Sequence, residues 1–369
     1  MQLVETGLGL FLVALVFWDA FETIVVPRPT PGWFRIARYV IRTSWRLVRG
    51  SGRGGTTATR DRLIGLFAPA VIVLLLVTWL AALILGYGLI LLGLGDQLQP
   101  APTDLGTAMY FAASSILTIG YGDIVAVGEL ARIVVVAAAA SGLGIVALVI
   151  TFLFSLFASY QRREVSVVLL QAKAGVPPSA VVLLETLARM DLYSRLPEMF
   201  GDWERWAAEV LDSHVAYPLL VFFRSSHDNL SWVSALGTIL DTATLVLTTI
   251  LDVQRGSAEL FKSVGSHLVE DITNLGFRSG EYEDIDRLAF DAVYSRLAAA
   301  GYRLIPSDAA WEAFSAARQT YAPRLAVMAA YLAVPSASWF GGREELRSPT
   351  HRRAGAVAGS VEDRIEELT

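Results

Sequence analysis

The chain has 369 residues, of which 54% are hydrophobic and 18% charged, with a net charge of −5 and no cysteine. This balance is too apolar for an ordinary soluble protein, and the missing cysteines exclude disulfides and thiolate metal sites. The apolar excess lies before residue 162, where eleven Arg face eight acids; the remainder carries nineteen basic residues against twenty-seven acids and is long enough to bury a core of its own.

The N-terminus is apolar and lacks the positive opening of a secretory signal, so residues 1–27 read as a retained membrane helix. Pro27-Arg28-Pro29 ends it. Asp19 and Glu22 sit three apart on one face of that helix. Acids at membrane depth are costly and face protein or water. Their expected role is a contact with an Arg of the next segment or with the headgroup zone; a part in gating is the alternative.

Residues 28–62 contain nine Arg and a single acid, Asp61, which marks a cytoplasmic loop by the positive-inside rule. The N-terminus then lies outside and everything after residue 163 is cytoplasmic. Arg35, Arg38, Arg42, Arg46 and Arg49 follow spacings of three, four, four and three, which gathers them into one stripe of a helix. A voltage sensor needs Arg at every third position and a surrounding bundle. The better reading is an amphipathic helix on the inner leaflet, its basic stripe facing lipid and reaching anionic headgroups.

From Leu63 to Gly95, and again from Ile133 to Gln161, there is no charged residue. Each run exceeds the roughly 20 residues that span a bilayer. Between them, residues 103–117 form a short helix candidate that Thr103 or Asp104 can cap. It runs into Thr118-Ile119-Gly120-Tyr121-Gly122-Asp123. Gly120 and Gly122 permit backbone angles closed to other residues. From Gly95 to Leu130 there are four acids, Asp96, Asp104, Asp123 and Glu129, and no Lys or Arg, a balance that attracts cations.

This run, in this context, resembles the selectivity filter of the potassium channel family, with Ile119 where Val is commoner. The resemblance covers residues 63–162 and implies outer helix, pore helix, filter and inner helix, with four chains around one pore. It implies that Thr118, Ile119, Gly120, Tyr121 and Gly122 bind K⁺ through carbonyl oxygens, and that Asp123 stands at the outer mouth and braces the filter. It also implies a hinge in the inner helix, for which Gly142 and Gly144 are the candidates; close helix packing is the alternative role. Phe152, Phe154 and Phe157, near the cytoplasmic end, are candidates for a hydrophobic gate that closes by dewetting.

After residue 163 come amphipathic helical segments, with Pro178-Ser179, Pro197, Ser231, Ser257, Glu281 and Ser307 near their starts. No two-residue alternation appears, so residues 163–340 are expected to form an all-helical, regulatory domain. Residues 229–251 are apolar enough for a fourth span, but Asp241 near the middle favours a buried core helix. His214, His227 and His267 show no tight ligand spacing. No glycine-rich phosphate loop and no cyclic-nucleotide roll is present. From Gly341 to the end the composition is that of a mobile polar tail.

The sequence thus describes an all-α membrane protein: a potassium channel subunit acting as a homotetramer in the plasma membrane. K⁺ is the permeant ion and no other metal or cofactor is expected. Lipid is an expected partner and nucleic acid is not, while the ligand of the cytoplasmic domain stays open. No constellation suits catalysis. The alternative is a poorly conducting sensor that acts through its helical domain.

Overall fold

A computed structural model describes residues 2–26, 35–51, 57–225, 230–274, 277, 282 and 284–340. The break at Pro27-Arg28-Pro29, His227, Glu281 and the tail from Gly341 lie outside the described residues. The fold is all-α, and the chain divides into two compact units, Met1–Ala158 and Ser159–Thr369.

The first unit holds α1 (Gln2–Ile24), α2 (Ile36–Ser51), α3 (Thr57–Gly93), α4 (Leu105–Ile116) and the first part of α5 (Glu129–Ala174). Among the described residues, three segments are long and apolar enough to cross a membrane: Leu3–Ile24, Arg62–Gly93 and Glu129–Ala174. α1 packs along α3. At one crossing a Cβ on Gly9 would stand 2.5 Å from the Gly86 carbonyl oxygen, and one on Gly86 3.1 Å from that of Gly9. Only paired glycines let the two backbones approach so closely.

Towards the C-terminal end of α1, polar groups take over. Asp19 is fully buried and accepts from the Trp79 indole of α3 at 2.8 Å and from the Ala37 amide of α2 at 3.1 Å. Ala37 is in the first turn of α2, so this carboxylate satisfies an amide that the helix itself leaves unpaired. Glu22 pairs with Arg35 at 3.3 Å, both buried. Asp19 therefore joins α1, α2 and α3, and Glu22 makes the expected contact with an Arg of the following segment.

A two-residue antiparallel ribbon, β1 (Leu98–Gln99) with β2 (Val125–Ala126), closes the loops around α4. Gln97 fastens the same place: its carbonyl accepts from Val127 and Gly128, and its side chain from the Ala131 amide at 3.1 Å. α3 meets α5 through Tyr87 and Ser141, whose hydroxyls lie 2.7 Å apart.

The second unit comprises the C-terminal part of α5, then α6 (Ala180–Arg189), α7 (Leu196–Ala216), α8 (Trp232–Thr248), α9 (Gly256–Asn274), α10 (Arg287–Ala299), α11 (Ser307–Arg318) and α12 (Ala322–Leu332). Ser179 and Ser231 cap α6 and α8, and Pro197 opens the first turn of α7. α9 begins at Gly256, one residue before Ser257, and α10 is capped by Asp286.

The 17-residue α8 is the centre of this unit. Every residue from Trp232 to Val246 is buried, and α6, α7, α9, α11 and α12 pack around it. Its Asp241 accepts from Arg318 at 3.1 Å and from the Tyr321 hydroxyl at 2.6 Å. A buried acid is tolerable when a cation and a hydroxyl satisfy it in this way. Trp203 and Trp206, 4.7 Å apart and edge to face, form the buried side of α7, with Glu204 and Arg205 beside them.

Candidate ion-conduction site

α4 delivers the chain to residues 118–123. Asp104 caps its start, its carboxylate accepting from the Thr107 amide at 2.9 Å, so the pore helix begins where its sequence supplies an acceptor. At its other end the Ser114 carbonyl accepts from the Ile119 amide at 2.8 Å, and that of Ser115 from Thr118 at 3.0 Å. These two bonds bend the backbone back beside the helix end, where the dipole is negative.

Thr118, Gly120 and Gly122 have φ of 56°, 63° and 80°, and Ile119 and Tyr121 between them do not share that hand. Glycine adopts the left-handed region freely, whereas a β-branched residue is strained there by about 1–2 kcal/mol. Thr118 thus holds a conformation its own sequence resists, which marks a place where the surroundings dictate the backbone. Every residue from Leu117 to Asp123 is exposed in the single chain.

Two residues not expected from the sequence buttress this loop. The ring of Tyr110, on α4, lies parallel to that of Tyr121 with centroids 6.3 Å apart, and its hydroxyl donates to Asp123 at 2.9 Å. This bond ties Asp123, at the end of the loop, back to α4. The second is Arg132, just past the acid-rich window, which is exposed and donates to the Ala126 carbonyl at 3.1 Å. It offsets part of the negative charge of Asp96, Asp104, Asp123 and Glu129 on this side.

In α5 the candidate residues separate. Gly142 is buried against α4, and a Cβ there would run into the Ile116 carbonyl oxygen. Close packing is thus its role in this conformation, and α5 continues unbroken through it. Gly144 has open space where a Cβ would sit. Phe152 is only 6% exposed and is buried within its own chain, whereas Phe154 and Phe157, at 71% and 41%, present their rings outward. The reason is helical phase. Ile145, Val149, Phe152 and Leu156 form the buried face of α5, and Phe154 lies opposite.

The basic stripe also divides. Arg35 precedes α2 and is buried in its pair with Glu22, which removes it from a lipid-facing set. Arg42 and Arg46 are exposed, and Arg38 and Arg49 half-buried. Trp45, beside this stripe, is buried and packs on Phe67 of α3 at 4.8 Å, while Tyr39 and Leu47 are exposed along with Arg42 and Arg46.

Residues 70–159 match the family model described as "Ion channel". They form an ion-channel domain of the two-span, potassium-channel type. The match starts inside α3, takes in α4 and residues 118–123, and stops in α5. No curated protein and no solved structure matches the chain.

The second unit contains one buried cluster with no counterpart in the sequence reading. Arg163 is 2% exposed and spends its guanidinium on Glu164, on the Leu220 and Phe223 carbonyls and on His214, whose Nε2 lies 3.0 Å away. Tyr160 and Trp232 flank it at 5.4 and 5.5 Å. Burial, and then the Arg163 charge, push the His214 imidazole well below the usual histidine range, against an opposing bond to the Val210 carbonyl. His214 is thus a neutral core residue. His267 is exposed, and among the described residues no group of three His, Cys, Asp or Glu is placed to hold a metal.

Proposed function

We propose that four copies of this chain form a potassium-selective channel, with residues 118–122 of each as one wall of the filter. The carrying observation is the alternation of hand at Thr118, Gly120 and Gly122 in a loop exposed from end to end. Alternating hands turn successive carbonyls to the same side of a strand. Four such strands line a tube of oxygens that can replace the hydration shell of K⁺. A single chain offers only one wall, so the exposure of the whole loop supports an assembly around it. Thr118 adds its hydroxyl at the inner end, and the parallel Tyr110 and Tyr121 rings set the width.

Phe154 and Phe157 suit a dewetting constriction at the cytoplasmic end, and Gly144 is the position where α5 bends with least hindrance. Arg42 and Arg46, with Arg38 and Arg49, suit the anionic headgroups of the inner leaflet of the plasma membrane. The Arg excess between α1 and α3 supports a topology with the N-terminus outside and the helical unit in the cytoplasm.

The test is ion flux through purified protein in liposomes, with K⁺ and then Na⁺ as the only permeant cation. K⁺ flux far above Na⁺ flux, abolished by Gly120→Val because a branched side chain resists φ of +63°, is the expected result. Equal fluxes of the two ions would refute potassium selectivity.

A further inference from the structure

α5 carries no charged residue from Ile133 to Ala158, and its apolar side chains run around the whole helix. Lipid tails are as apolar as Leu, so burial of apolar surface does not choose which side of such a helix faces its neighbours. Polar contacts and close packing have to choose. Thr151 and Ser155 turn their hydroxyls back on the Ala147 and Thr151 carbonyls of α5 itself. Ser141 differs from them, because its hydroxyl also meets another helix.

The Ser141 hydroxyl lies 2.7 Å from the Ala137 carbonyl, which can only accept, so the serine proton goes there. The Tyr87 hydroxyl of α3, also 2.7 Å away, is then the donor to Ser141 Oγ. Tyr87 and Ser141 are 6% and 7% exposed, so a Tyr87 hydroxyl parted from Ser141 would be stranded in an apolar interior. Gly142, the next residue, sits against the carbonyl of Ile116, the last residue of α4, and a Cβ does not fit between them. Successive residues stand about 100° apart around a helix. A turn of α5 by one residue either way would set Ser141 or Leu143, each with a Cβ, where only glycine fits. Ile116 is followed at once by Leu117 and then by Thr118, whose φ of 56° is held beside the end of α4 by the Ser115 carbonyl.

We propose that Tyr87 is a positioning residue for the ion filter: its bond to Ser141 fixes the rotation of α5 that presents Gly142 to Ile116, and so sets where Thr118 stands. This rests on the channel reading above. Tyr87 touches no ion and acts through Ser141 and the backbone of Gly142. Without the bond α5 rotates against the end of α4, the Ile116 carbonyl is displaced, and the oxygen spacing that favours K⁺ is lost at the inner end of the filter.

The test uses full-length protein in liposomes. Tyr87→Phe keeps the ring and removes the donor, and Ser141→Ala removes the acceptor. Thr78→Val, on the same helix as Tyr87, removes a hydroxyl that donates to Leu74 of its own helix and serves as the control. The K⁺ to Na⁺ flux ratio is expected to fall about 3- to 10-fold in each of the first two variants, the range that one buried hydrogen bond is worth. It should fall no further in the double variant and stay unchanged in Thr78→Val. A lower total flux at an unchanged ratio would show a packing role only and would overturn the inference, as would single effects that multiply in the double variant or an equal fall in Thr78→Val.

A second measurement needs no open pore and decides the case of a silent variant. K⁺ held by the folded filter raises the melting temperature of the purified protein above its value in Na⁺. That rise should shrink in Tyr87→Phe and Ser141→Ala and persist in Thr78→Val; an undiminished rise in both would overturn the inference. Wild-type protein with equal K⁺ and Na⁺ fluxes and no such rise would defeat the channel reading itself. A selective wild type with unaltered variants would defeat this inference alone.

Discussion

Between Leu117 and Asp123 every residue is exposed, whereas in α8 every residue from Trp232 to Val246 is buried. The two units use polar groups accordingly. In the ion-channel domain the amides of Thr118, Ile119 and Gly120 donate to the Ser114 and Ser115 carbonyls, and Tyr110 holds Asp123 just beyond them. In the helical unit, Arg163 and Asp241 are buried and surrounded by partners of their own chain. One region leaves its backbone open in the single chain; the other meets its buried polar groups within that chain. Free polar groups are useful where an ion must be met, and buried, satisfied ones are useful where a shape must be kept.

The largest test of that contrast is Arg163→Ala. It strands the Leu220 and Phe223 carbonyls and the Glu164 carboxylate in the interior, at a cost of about 3–5 kcal/mol. Chemical denaturation followed by the near-ultraviolet signal of Trp206 and Trp232 should lose that much. An unchanged midpoint would show that water replaces the guanidinium and that the cluster is not closed. Gly142→Ala tests the other unit. The added methyl group meets the Ile116 carbonyl, and overpacking of this kind costs about 1–3 kcal/mol. Channel flux should fall while the near-ultraviolet transition of the helical unit stays. Full flux in this variant would mean that α4 and α5 separate freely in the conducting state.

The smallest effect is pH dependence. His214 is held neutral in the folded protein, its affinity for a proton depressed below the unfolded value of about 6.5. Below that pH the unfolded chain binds a proton that the folded one refuses. Stability is therefore full above about pH 6.5 and falls on acidification, by at most about 1.4 kcal/mol per pH unit from this one group. The melting temperature measured between about pH 5 and 7.5 should slope accordingly, and His214→Gln should flatten it. An identical slope in the variant would assign the effect elsewhere.

The parts of this architecture that were legible in the sequence are those set by local chemistry. The glycines at 120 and 122, the caps at Asp104, Ser179 and Ser231, and the uncharged runs each act over a few residues, and the structure places all of them in the expected elements. Asp241 likewise distinguished a core helix from a span by a single charge. The Phe residues of α5 were not separable in this way. Phe152, Phe154 and Phe157 have the same chemistry, and which of them is buried depends on the phase of α5 against the rest of its unit. Tyr110 was hidden for a similar reason: its partner Asp123 lies 13 residues on, across a reversal of the chain.

By itself, then, the sequence determined where the chain crosses the membrane, where the filter-like loop falls and that the remainder is helical, because hydropathy, capping and glycine freedom are properties of short segments. Only the tertiary structure decided that Arg35 belongs to Glu22, that Gly142 makes room for Ile116 and that Arg163 lies beside a neutral His214. Each of these depends on what stands opposite. A side chain's partner is fixed by packing between distant segments, which no periodicity along one segment contains.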